Sequence, residues 1–76
     1  MRLVELVNVL DFDQYIAVVY ELDAELRLVI TDGSVENLAG LLTYGLIHPF
    51  LYVTCVLVDG DDVMNIYVRK ELPENE

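Results

Sequence analysis

Positive charge is what this chain has least of. Four Lys and Arg residues stand against fourteen Asp and Glu, a net charge of −10 over 76 residues. Binding to DNA, RNA or an anionic membrane rests on cationic side chains that displace counterions, so these functions are not expected here. His48 is the single imidazole and Cys55 the single thiol, which leaves no cluster for zinc and no intramolecular disulfide. The glycines at 33, 40, 45 and 60 are scattered, so no phosphate-cradling loop is spelled out. A Ser–His–Asp set could be named from Ser34, His48 and any acid, but Ser34 reads better as a helix cap. These absences predict a chain that is not an enzyme and needs no cofactor.

What is present is apolar surface. Hydrophobic residues make up 55% of the chain, above the roughly 45–50% usual for soluble domains. A single domain of this length buries only about 60% of the surface of its unfolded chain. The surplus must face something, and a second copy of the chain is the simplest partner. The residues from Asn37 to Val58 form a 22-residue run without charge, long enough to span a bilayer. Against that reading, His48 and Pro49 interrupt the run, its second half suits strands, and both flanks, Glu36 and Asp59, are acidic. The opening residues are broken by Glu5 and Asn8 and show no secretory pattern, so a cytoplasmic location without membrane contact is expected.

Periodicity predicts an α+β fold: a four-stranded, mainly antiparallel sheet with one or two short helices packed on one face. Leu3, Leu6, Val7 and Leu10 recur at helical spacing over residues 2–10, although the valines keep a strand open there. Residues 14–22 and 25–31 alternate as a first hairpin, with Asp23 and Ala24 at its turn and Leu26, Leu28 and Ile30 facing inward. Ser34 caps a helix over 35–44 that Gly45 ends, and Gly40 within it suggests either close approach to the sheet or a short helix. Phe50 to Val58, apolar on both faces, reads as a central strand covered on each side. Asp59 to Asp62 form a second hairpin turn with Gly60 as its permissive residue, and residues 63–70 complete the sheet. One domain over 1–72 and a frayed acidic tail over 73–76 are expected.

The acidic clusters admit sharper readings. Asp59 to Asp62 resembles the start of a calcium loop, but Val63 and Met64 occupy positions that an EF-hand gives to an oxygen ligand and to glycine. No metal site is expected. Asp11 with Asp13, and Glu21 with Asp23 and Glu25, lie on turns where carboxylates serve solubility more readily than acid–base chemistry. A nucleic-acid mimic that inhibits a DNA- or RNA-binding protein is the alternative, with a basic protein as partner.

The strand faces opposite the Leu and Ile rows carry rings with polar tips among β-branched residues. Tyr15, Val19, Tyr52, Thr54 and Tyr67 are therefore the candidate interaction surface. The opening pattern of Leu3, Leu6, Val9 and Leu10, running into Asp11, Asp13 and a strand at Ile16, resembles small uncharacterised proteins of phages and conjugative elements of gut bacteria. The paired strand blocks around the acidic turn at Asp59 to Asp62 are similar to theirs as well. That resemblance implies no substrate and no functional residue. The expected function is a non-enzymatic protein–protein interaction module, homodimeric and acting in the cytoplasm.

Overall fold

Both expected hairpins form. In the structure, a computed structural model describing residues 1–23 and 25–71, β1 (Tyr15–Glu21) pairs antiparallel with β2 (Arg27–Ser34). Likewise β3 (Tyr52–Val58) pairs antiparallel with β4 (Met64–Arg69). The hairpins join through a parallel β1–β4 pairing, which gives one four-stranded sheet in the order β2-β1-β4-β3. The fold is α+β as predicted, and its sheet is mixed, with the parallel pair at the centre. Ala24 of the first turn and the tail at 73–76 lie outside the described residues.

The central positions belong to β1 and β4 because their inward rows match. Ile16, Val18, Ile66 and Val68 are at most 1% exposed, and Val18 stands beside Ile66 in register. They join one buried cluster with Leu3 and Val7 of α1 (Leu3–Val7), with Val35, Leu38 and Leu42 of α2 (Val35–Thr43), and with Ile47 and Leu51 of the following loop.

Three expectations need correction. β3 is an edge strand, not a central one, and Thr54 to Val58 are exposed. Apolar residues on both faces show that a strand lacks polar groups, not that other elements cover it. Leu26 and Leu28 are likewise exposed, because β2 is the opposite edge, and of the three residues expected to face inward only Ile30 packs against the core. The first helix covers only Leu3–Val7 of the expected 2–10. After Val7 the amides of Val9 and Leu10 donate three residues back, to Leu6 and Val7, which tightens the last turn and ends it.

Local chemistry fixes the helix ends. The Arg2 N–H donates to Glu5 Oε1 at 2.8 Å, and Ser34 Oγ accepts from the Asn37 N–H at 3.3 Å. Gly45 takes φ 74°, the left-handed conformation that ends α2. Gly40 has open space where a Cβ would stand, so close packing does not require glycine there. Gly40→Ala is therefore expected to raise stability by about 0.5–1 kcal/mol, read as a shift in the urea midpoint at constant slope.

The chain start straps the first part of β3. The Leu3 N–H donates to Leu51 O at 2.7 Å, the Val53 N–H donates to Met1 O at 2.8 Å, and Arg2 forms an antiparallel bridge with Tyr52. The outer edge of β3 is thus covered as far as Val53 and open from Thr54 onward.

Candidate interaction surface

Strand alternation places the five predicted surface residues on the sheet face opposite the core. Tyr15 and Val19 share the odd row of β1, and Val19 stands beside Tyr67 of β4. Tyr52 is registered with Arg69, and Thr54 lies where β3 carries an extra residue between Val53 and Cys55. The structure brings Val19, Thr54 and Tyr67 together and leaves Tyr15 apart, at the opposite end of β1 from Glu21. Val19 is 8% exposed, so it is already covered within one chain, whereas Tyr15 is 63% exposed.

A charged group sits on this face where β1 ends. Glu21 ends β1 with its side chain only 10% exposed, 3.6 Å from Arg27 Nε through one oxygen and 3.6 Å from Arg69 Nε through the other. The Thr54 hydroxyl donates to Glu21 Oε1 at 2.6 Å. Arg27 also lies over the Tyr67 ring at 5.3 Å, and Arg2 lies over Tyr52 at 4.1 Å. Arginine stacks on aromatic faces at short range, so these rings are partly occupied by the chain's own cations. Arg69 Nε is buried and has no hydrogen-bond partner among the described residues. One signal for this network was available in the sequence: Glu21 and Arg27 flank the first turn symmetrically and pair across the hairpin.

The free edge of β3 was missed altogether. Val56, Leu57 and Val58 are 38%, 54% and 60% exposed, and no residue from Tyr52 to Val58 bears a charge. β1 holds Glu21, β2 holds Arg27 and Asp32, and β4 holds Arg69, so β3 is the one uncharged strand of the sheet. Across the described residues, fourteen large hydrophobic side chains are exposed and twelve hydrophobic residues are buried. The apolar surplus read from composition is therefore on the surface, and the β3 edge is a continuous stretch of it.

The acidic turn at Asp59 is built by its own backbone. Asp59 Oδ1 accepts from the Asp61 N–H at 2.9 Å and the Val63 N–H at 3.3 Å, and Asp59 N–H donates to Val63 O at 3.1 Å. Asp62, and not Gly60, takes the left-handed conformation, at φ 61°. Aspartate tolerates that region because its short polar side chain can bond locally. Among the described residues no group of three or more His, Cys, Asp or Glu is placed to hold a metal ion. His48 Nδ1 accepts from the Phe50 N–H at 3.1 Å and so caps the loop that follows α2.

Backbone donors hold the Asp59 carboxyl below its ordinary value of 3.8, first through Asp61 and then through Val63. Asp23 is lowered in the same way by the N–H groups of Glu25 and Leu26. Both groups favour the charged form when folded, so their contribution is present above the unfolded value and is lost as pH falls through the lowered one. Melting curves between pH 7 and pH 2 should show this loss in the wild type. The decline should be shallower in the double variant Asp23→Asn and Asp59→Asn, whose side chains still accept the same bonds.

No helix among the described residues is long and apolar enough to cross a membrane. The uncharged run divides instead among α2, the loop after it and β3. Comparison with family models, curated proteins and solved structures finds no match to this chain.

Proposed function

We propose that this protein is a non-enzymatic association module of the cytoplasm, which forms a homodimer by joining the open edges of β3 in two copies. The observation that carries this reading is an exposed edge strand without charge on a chain whose net charge is −10. Two such chains repel each other, and approach costs least where neither presents a carboxylate. The β2 edge, with Arg27, Asp32 and an irregular register, carries the features by which proteins discourage edge pairing. The β3 edge from Thr54 to Val58 lacks them, apart from the extra residue at Thr54 where it begins.

Geometry suggests the register. Val53 turns its N–H outward to Met1, and after the extra residue at Thr54 the antiparallel alternation turns Val56 and Val58 outward. A two-fold axis at Val56 then sets Val56 against its own copy, Cys55 against Leu57, and Thr54 against Val58. The result is one continuous eight-stranded sheet.

The second reading, an acidic decoy for a basic protein, is favoured by the clustering of acids near the start of β1. The parallel centre brings Asp13 close to Asp61 and Asp62, where the Gln14 side chain donates to Asp62 O at 2.9 Å. Glu21, Asp23, Glu25 and Glu71 fall toward the other end of the sheet, however. Acids divided between two ends and carried on turns suit solubility better than a backbone-like stripe, so the association reading is preferred.

Light scattering at micromolar concentration should report twice the 8.7 kDa chain mass. Val56→Lys should report a monomer with an unchanged circular dichroism spectrum, because an edge lysine blocks pairing and its long side chain can carry the charge to solvent from a position already 38% exposed. A wild-type monomer would sink the proposal. A dimer that survives Val56→Lys would move the interface away from this edge.

A further inference from the structure

A cleft of about 560 Å³ opens at the end of the sheet where β1 and β4 finish, beneath the loop that joins α2 to β3. That size lies within the roughly 300–1,000 Å³ of small-molecule sites. Ile47 and Leu51, both buried, line it from the core side, while Leu46 and Phe50 border it and are 73% and 54% exposed. Its charged residues are Arg2, Lys70 and Glu71. The chain has four cations in all, and the other two, Arg27 and Arg69, are spent on Glu21. Among the described residues neither Arg2 nor Lys70 lies within salt-bridge distance of a carboxylate.

Arg2 is held in place without being neutralised. Its Nη1 donates to Phe50 O at 2.7 Å, and its guanidinium rests on the Tyr52 ring, which leaves further N–H donors unassigned. Apolar walls with two cations and one acid leave a local excess of positive charge on an otherwise anionic molecule. We infer that this cleft binds a small amphiphile with one carboxylate head and an aliphatic tail, the head between Arg2 and Lys70 and the tail along Leu46, Ile47 and Leu51. Guanidinium and carboxylate match in charge and planar geometry, and the tail covers Leu46, which is otherwise left to water. No residue of Thr54 to Val58 lines the cleft, so this inference does not rest on the dimer.

The test is titration of the full-length ¹⁵N-labelled chain with decanoate below its micelle concentration. Saturable one-to-one binding is expected, with amide shifts centred on residues 46–51 and 70. Decyltrimethylammonium, which has the same tail and the opposite head charge, should bind at least tenfold more weakly. Lys70→Glu, a change at an exposed position, should weaken decanoate at least tenfold, and Leu46→Asp should do so through the tail. Shifts that never saturate, equal binding of the cationic amphiphile, or unchanged decanoate affinity in folded Lys70→Glu would each overturn the assignment.

Discussion

Ile66→Ala is expected to lower stability by about 3–4 kcal/mol, a large fraction of what a domain of this length possesses. Ile66 is fully buried at the centre of β4, beside Val18 in the parallel pair and facing the cluster that both helices share. Truncation removes the transfer energy of the lost carbons and leaves a void that two β-ladders and two helices cannot close. For a chain of this size the loss corresponds to a fall in Tm of roughly 15–25 °C, measurable by circular dichroism. Leu57→Ala on the β3 edge is the control and should cost under about 1 kcal/mol in a monomeric background such as Val56→Lys. A loss below about 1.5 kcal/mol for Ile66→Ala would mean that β4 does not hold the centre of the sheet.

Glu21→Ala should have the second-largest effect, about 2 kcal/mol, although its local sequence points only to the weaker of its two partners, Arg27. Its carboxylate accepts from Thr54 and lies between two arginines from different strands. Hydrogen bonds to a charged group contribute about 1.5–3 kcal/mol, and losing this one leaves Arg69, whose side chain is only 29% exposed, beside a vacated site. Arg27 adds little, because its side chain is 54% exposed and solvent screens the pair. Double-mutant cycles in chemical denaturation should therefore give a larger coupling for Glu21 with Arg69 than with Arg27. Equal couplings would show that the two pairs are similarly solvated and that the network does not anchor this face.

The hairpins were legible because period-two alternation and turn residues are local signals. The strand at Ile16, the Ser34 cap and the left-handed Gly45 all stand where pattern placed them. Strand order was not legible. It depends on which strand meets β1 from 48 residues away, and no local pattern encodes that meeting. β3 looked central because it is apolar on both faces, and it is an edge because β4 offered the better match. The same gap hid the Glu21 cluster, since Arg69 and Thr54 reach Glu21 only once the parallel pairing is made. Asp62 was hidden for a simpler reason: glycine is the usual left-handed residue, and Gly60 stood two positions away.

The parallel pairing at the sheet centre also sets the order of events in folding. Each hairpin closes a short loop and can form by itself, within microseconds for a local ladder. Their union cannot be local, because every β1–β4 partner pair, from Ile16 with Met64 to Tyr20 with Val68, lies 48 positions apart. Closing so long a loop costs entropy before any contact offsets it, so docking of the two hairpins is the slow step and belongs to the millisecond range or beyond. Until it happens, both flanks of both hairpins are open, the flank of β4 that later meets β1 among them. The acidic residues on the turns at each end are then the main barrier between one nascent chain and the next.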